Sequence, residues 1–317
     1  MGKEGAMDSS KRSAGHIMAL VCILFWGSAF IASKVIVNGE FRPAQIIFCR
    51  LLLVFIILSL ATREYIPLGG WKGIRRDRYL ILAGFLGTAV YYLLESTALQ
   101  FTYATNVSLI VTISPLFSTV FDRFLPKEDR KPLTRSFFPG LAICLIGVAM
   151  VILNGSRLRL NPAGDAIALA AALSWAGYSF FLNKAQRVNE AQSDPLRPLL
   201  FTRRQMFYGL LLVTVVFCLG GARFDTGILH GRYLAVLLYL ALLPSALCYW
   251  LWGRTIDRIG MLNASLYITV IPVVSAVVGA LLLHESLTPL SLAGMAAIIA
   301  GLIITQDVLP QLLRRRG

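Results

Sequence analysis

With 317 residues, a hydrophobic fraction of 57%, only 15% charged residues and a mean hydropathy of +0.71, the chain is too apolar for a soluble domain, where about a quarter of residues are charged. Its formal net charge of +14 sits mostly in chain ends and connecting segments, which argues against a nucleic-acid-binding surface and for a membrane protein oriented by its basic loops. Many of its apolar runs approach the roughly 20 residues that carry a helix across a bilayer.

Ten spans are predicted, all of them helices, because lipid cannot satisfy open backbone groups. The first five are Ile17–Val37, Pro43–Ala61, Leu80–Leu99, Tyr103–Leu125 and Phe137–Leu153. The second five are Gly164–Lys184, Gln205–Leu219, Tyr233–Gly253, Met261–Leu283 and Pro289–Thr305. The polar head, residues 1–16, is expected to be disordered, with no cleavable signal peptide behind it. If the N-terminus is cytoplasmic, inner loops and ends hold twenty-three Lys and Arg and outer loops only five. That is the positive-inside pattern. An even number of spans then places both basic ends, Lys11-Arg12 and Arg314-Arg315-Arg316, on the cytoplasmic side.

The chain repeats itself at an offset of 157 residues. Tyr92 falls on Tyr249, Asn106 on Asn263, Pro115 on Pro272, Ser118 on Ser275 and Glu128 on Glu285. Five spans precede the divide at Asn154–Pro162, so the second copy enters the membrane in the opposite sense. The expected organisation is a cytoplasmic head at 1–16, a first five-helix repeat at 17–154, a second at 163–306 and a basic cytoplasmic tail at 307–317. The fold class is therefore an all-α integral membrane protein of ten transmembrane helices in two inverted five-helix repeats.

Proline removes a backbone donor and kinks a helix, so matching Pro115 and Pro272 in spans four and nine mark expected kinks near the midplane. Pro244 in span eight is matched by Gly87 in span three, two helix-weakening residues at one repeat position. Gly140 and Gly147 in span five match Gly294 and Gly301 in span ten, and their seven-residue spacing predicts one close-packing face on each helix, used between spans five and ten or between protomers. Cys22, Cys49, Cys144, Cys218 and Cys248 all lie in apolar spans without metal-ligand spacing, and read as small buried hydrophobes.

Three ionisable residues lie within spans, where such groups are functional candidates by default. They are Lys34, Arg50 and Glu95. A carboxylate held away from bulk water can exchange a proton near neutral pH. Glu95 is thus a candidate to couple transport to proton entry or to grip a cationic part of a solute. Its structural alternative is an ion pair with Lys34 or Arg50. Lys34 can equally snorkel to the outer surface, and Arg50 can tie span two to its neighbours. Aromatic and amide residues form a second constellation: Trp26, Tyr92, Asn106, Trp175, Tyr178, Tyr249, Trp252 and Asn263. Tyr92 with Glu95, and their repeat mates Tyr249 with Trp252, share helix faces at i,i+3. An apolar pocket with a few polar groups suits a small organic solute, and aromatic faces attract ammonium groups.

Particular words carry a family resemblance. Span one reads Leu24-Phe25-Trp26-Gly27-Ser28-Ala29-Phe30 and span six Leu173-Ser174-Trp175-Ala176-Gly177-Tyr178-Ser179-Phe180. Span two carries Cys49-Arg50-Leu51-Leu52, span four Ser114-Pro115-Leu116-Phe117, and span nine Ile271-Pro272-Val273-Val274-Ser275-Ala276 followed by Glu285-Ser286-Leu287. The ordered set resembles the EamA-type transporters of the drug/metabolite transporter superfamily over about residues 17 to 305. The resemblance implies ten helices in two inverted repeats, cytoplasmic termini, and a central cavity lined mainly by helices one, three, four, six, eight and nine. It implies export of amino acids or other small metabolites, with some relatives carrying nucleotide sugars. The chain departs from the family at Lys127-Glu128-Asp129-Arg130-Lys131, which is unusually charged, and at Glu95, where many members have an aromatic residue.

The expected function is secondary active export of a small amino acid or related metabolite by alternating access, with proton coupling as an option, in a bacterial inner (plasma) membrane. The alternative is a nucleotide-sugar or phosphate-ester exchanger, which needs basic residues facing the cavity. The expected partners are a small-molecule substrate and the lipid bilayer, with no nucleic acid, and the chain acts as a monomer or homodimer. The loop G-x-x-x-x-G-K-[ST] does not occur, so direct ATP drive is not expected. No cofactor, metal or catalytic site is expected, since the histidines, His16, His230 and His284, lie at span edges far apart.

Overall fold

The computed structural model describes residues 2–37, 39, 41–63, 70–101, 107, 110–125, 135–152, 161–220, 224–283 and 288–305. Among them every regular element is a helix, as a chain buried in hydrocarbon requires. Helix α1 is Gly2–Val37, α2 Pro43–Thr62 and α3 the short Gly70–Arg76. Helix α4 runs through Arg78–Gly84, a π-helical turn Phe85–Val90 and Tyr91–Phe101. Helix α5 is Ser114–Asp122, α6 Phe137–Ile152, α7 Pro162–Glu190 and α8 Pro198–Leu219. Helix α9 runs through Gly231–Leu240, a second π-helical turn Ala241–Leu247 and Cys248–Ile259. Helix α10 comprises Met261–Leu266, a 3₁₀ stretch Tyr267–Val270 and Ile271–Leu283, and α11 is Pro289–Thr305.

Seven of these stretches are long and apolar enough to cross a membrane, and α6 and α11 are shorter apolar helices. Residues 103–106 and 108–109 of predicted span four lie outside the described residues, and α5 carries its second half. Local chemistry sets the starts. Pro43, Pro162 and Pro198 occupy the first turns of α2, α7 and α8, where a missing N–H costs nothing. The Asn161 side chain accepts from the Gly164 N–H at 3.2 Å, and Asp165 reaches back to the Asn161 N–H at 3.0 Å. Gly260, at φ +83°, makes the sharp break between α9 and α10 that a side chain would strain.

Two expectations change. The head read as disordered continues α1 as helix from Gly2; it contains no Pro to stop it. Span seven starts at Pro198 rather than Gln205. Arg203 and Arg204 tolerate burial there because Arg204 Nη1 meets Asp77 Oδ2 at 2.9 Å and Arg203 Nη1 donates to Thr62 Oγ1 at 2.5 Å. The five cysteines are free thiols; four are buried and Cys218 is exposed on α8.

Helices α6 and α11 pack antiparallel through the predicted glycines. A Cβ at Gly140 would sit 2.8 Å from the Gly301 carbonyl, and one at Gly147 2.6 Å from that of Gly294. Small residues here let the two backbones touch. These helices are repeat mates, so their antiparallel contact is the geometry an inverted repeat demands. Helix α1 runs antiparallel to α9: Gly15 lies against Ile259, Cys22 Sγ donates to the Cys248 carbonyl at 3.4 Å, and the Ser28 and Tyr239 hydroxyls meet at 2.6 Å. It runs parallel to α10, with His16 Nδ1 at 2.7 Å from the Tyr267 hydroxyl and Ser275 Oγ donating to the Gly27 carbonyl at 2.9 Å.

Candidate functional site

The two π-helical turns occupy equivalent repeat positions, since residues 85–90 plus 157 give 242–247. Gly87 and Pro244, singled out as helix-weakening, lie inside them. A π turn interrupts the i→i−4 ladder, and such turns concentrate at functional sites. Here the opposite half supplies hydrogen-bond donors to carbonyls in both turns. Trp26 Nε1 donates to the Pro244 carbonyl at 2.8 Å. In the other half, Tyr249 Oη donates to the Gly87 carbonyl at 2.5 Å and Ser174 Oγ to that of Leu86 at 2.9 Å. The first half thus bonds the turn of the second, and the second bonds the turn of the first. Gly87 is required: a Cβ there would enter the Tyr178 ring.

Around this crossing lies one aromatic cluster. Trp26 meets Trp252 with ring centroids 4.9 Å apart and Trp175 at 5.1 Å. Trp175 meets Tyr178 at 5.0 Å and Tyr91 at 5.1 Å. Tyr249 joins Tyr178 at 5.6 Å and Tyr92 at 6.4 Å. Several contacts are edge-on or tilted, the arrangement ring quadrupoles favour. All six predicted aromatic residues, Trp26, Tyr92, Trp175, Tyr178, Tyr249 and Trp252, meet here. Tyr91 joins them, unanticipated although adjacent to Tyr92.

Arg50 enters from α2. Its Nε donates to Ser245 Oγ at 2.7 Å, inside the second π turn, and its Nη2 to Tyr92 Oη at 3.0 Å. The guanidinium carbon stands 4.3 Å from the Tyr92 ring centroid. The guanidinium therefore ties α2 to α4 and α9. Glu95, one turn beyond Tyr91 on α4, lies within electrostatic reach of Tyr91 and Arg50. Buried donors remain: Trp175 Nε1 and Trp252 Nε1 have no hydrogen-bond partner.

Other predicted residues stand elsewhere. Asn263 is not in the cluster: its Nδ2 donates to the Ile259 carbonyl across the Gly260 break at 2.9 Å. Asn106 lies outside the described residues, as does the side chain of Lys34, whose backbone belongs to α1. Pro115 is the second residue of α5, after a turn at residues 112–113, and Pro272 the second residue of the α-helical stretch Ile271–Leu283, after the 3₁₀ stretch.

A second polar centre was missed. Asp77, at the start of α4, holds Arg204 at 2.9 Å and accepts from Tyr208 Oη at 2.8 Å, both on α8. The side chains of Arg204 and Asp77 are 3% and 5% exposed. Among the described residues, a partly open cavity of about 100 Å³ lies where α5, α7, α9 and α10 meet, lined by Asp122, Asn183, Arg187, Glu190, Asp257 and their neighbours. No group of three or more metal-ligating side chains occurs among the described residues.

Comparison with known proteins agrees with this geometry. The model of the EamA-like transporter family matches twice, over residues 13–153 and 162–306. A protein of Salmonella typhimurium named "Probable amino-acid metabolite efflux pump" is 28% identical, over 90% of this chain and 93% of its own. A protein of Streptantibioticus cattleyicolor named "Probable terminal-alkyne amino-acid exporter" is 27% identical, over 91% and 92%. The Escherichia coli "Probable amino-acid metabolite efflux pump" is 25% identical, over 91% and 93%. A solved crystal structure superimposes with a TM-score of 0.73 over 95% of this chain and 99% of its own, at 18% identity, a likeness of fold. Two family matches covering nearly the whole chain, on a bundle of apolar helices, identify a multi-pass membrane protein that belongs to the EamA-like transporter family.

Proposed function

We propose that the chain is a secondary active transporter that exports a small amino acid or related metabolite across the plasma membrane by alternating access, driven by proton entry. In this reading ten spans form two inverted five-helix repeats with both termini in the cytoplasm, and the halves rock about the centre where their π turns meet. The antiparallel contact of repeat mates α6 and α11 supports the inversion. The names of the relatives from Salmonella and Streptantibioticus support the substrate class. The observation that carries the proposal is the centre itself: Arg50 and Glu95 set against an aromatic cluster built by both halves, where an uncompensated charge is costly.

Glu95 is the group proposed to carry the coupling proton, and Arg50 keeps the centre polar when that carboxyl is neutral. A phosphate-ester substrate brings two or more negative charges and fits poorly, because the guanidinium of Arg50 shares its surroundings with the Glu95 carboxylate. The test is uptake into inside-out vesicles across an imposed pH gradient. Wild-type flux of amino acids should follow the gradient, and Glu95→Gln should abolish that dependence. Gradient-driven flux in Glu95→Gln equal to wild type would remove proton coupling through this residue.

A further inference from the structure

Opposite charges within electrostatic reach in a poorly solvated interior gain most by closing into one ion pair. Arg50 and Glu95 do not close. The guanidinium is held on two neutral hydroxyls, Ser245 and Tyr92, and the carboxylate stands apart, one turn beyond Tyr91 on α4. No ion pair joins the two among the described residues. We infer that Arg50 and Glu95 form a split ion pair that receives the two ends of a zwitterion, the solute carboxylate at Arg50 and its ammonium at Glu95. The inference rests on the reading of this centre as the solute site, and narrows that site's ligand to an α-amino acid carrying both charges.

Two further observations fit this ligand. The buried Nε1 donors of Trp175 and Trp252 and the buried Tyr178 hydroxyl all lack hydrogen-bond partners, so the centre holds unpaired polar atoms that a bound carboxylate satisfies. A carboxylate supplies several lone-pair sites, of which one guanidinium can use only part. The charges also come from one half of the molecule only. Both lie in the first repeat, whereas the repeat mate of Glu95 is Trp252, which packs with Trp175, also of the second repeat, at 6.0 Å between ring centroids. A solute with a dipolar head and an apolar body matches that division: head on α2 and α4, side chain on α7 and α9. A proton arriving at Glu95 removes the charge that holds the ammonium, so coupling and recognition describe one residue in one cycle.

The test uses full-length protein in nanodiscs and reads thermal stabilisation, since a ligand of the folded state raises apparent stability. The probes are leucine and phenylalanine, their N-acetyl derivatives, which keep only the carboxylate, and their methyl esters, which keep only the ammonium. The parent amino acids should stabilise, and each derivative should need at least about tenfold more ligand, as sites built around a polar partner reject analogues lacking it. Glu95→Gln should erase the discrimination against the N-acetyl derivatives and keep that against the esters. Arg50→Gln should do the reverse; if it fails to fold, the Glu95→Gln arm decides. Equal stabilisation by all three forms, an unchanged N-acetyl ratio in Glu95→Gln, or no stabilisation by any probe overturns the inference. Counterflow of labelled leucine and phenylalanine in the same preparation separates the two levels: flux without discrimination sinks the zwitterion receptor alone, and absence of flux sinks the amino-acid exporter as well.

Discussion

Replacing Gly147 with alanine places a Cβ 2.6 Å from the Gly294 carbonyl oxygen and 2.8 Å from the Ile298 nitrogen. Ordinary van der Waals contact begins at 3.4 Å, so the closest approach is short by about 0.8 Å, and the opposing atoms are backbone, which cannot rotate away. Helices α6 and α11 must separate. A gap of that size forfeits roughly a quarter to a half of each dispersion contact along the shared face, and overpacking of this kind typically costs about 1–3 kcal/mol. The upper part of that range is expected, because Gly140, Gly294 and Gly301 make the same close approach. Gly294→Ala should cost a similar amount, and the double variant clearly less than the sum, since the first substitution already opens the interface. Ala293, exposed on the same helix, provides the control: Ala293→Val should fall within about 0.5 kcal/mol of the parent. SDS-titrated unfolding in mixed micelles, read by tryptophan fluorescence, gives these differences. Parent-like stability of Gly147→Ala, or full additivity in the double variant, would refute the packing argument.

The same assay tests two polar contacts. Arg204→Met should destabilise by about 3 kcal/mol, because it leaves the Asp77 carboxylate buried with only Tyr208 and the half-exposed Arg76 beside it; a loss below about 1 kcal/mol would reclassify the pair as a surface contact. Trp26→Phe should cost about 1–2 kcal/mol by leaving the Pro244 carbonyl without its donor, and a neutral result would mean that the carbonyl finds another partner in the π turn.

Much of this arrangement was legible because it rests on patterns with a period. The seven-residue glycine spacing located the α6–α11 contact, since a helix repeats its face near that interval. The 157-residue repeat paired Tyr92 with Tyr249, the aromatic words of spans one and six supplied Trp26 and Trp175, and Arg50 ties α2 to α4 and α9. What escaped has no local signature. The Asp77–Arg204 pair joins residues 127 apart in sequence, and without it the start of α8 at Pro198 reads as too basic for a span. The π turns could be suspected at Gly87 and Pro244 but not identified, because donors for their carbonyls come from the opposite half. Asn263 matched its repeat partner in type, but its bond to the helix end before Gly260 arises from a local break that the repeat does not announce.

The central claim is that the crossing of the two halves is a solute site exposed alternately to either side. Counterflow in proteoliposomes tests it most directly, with labelled amino acid outside and unlabelled amino acid trapped within. Wild-type protein should accumulate label transiently against its gradient, and Trp175→Ala, which removes the ring shared by Trp26, Tyr91, Tyr178, Tyr249 and Trp252, should cut that exchange at least about tenfold while the folded protein persists. Undiminished exchange in Trp175→Ala, or label that never exceeds simple equilibration in the wild type, would contradict it.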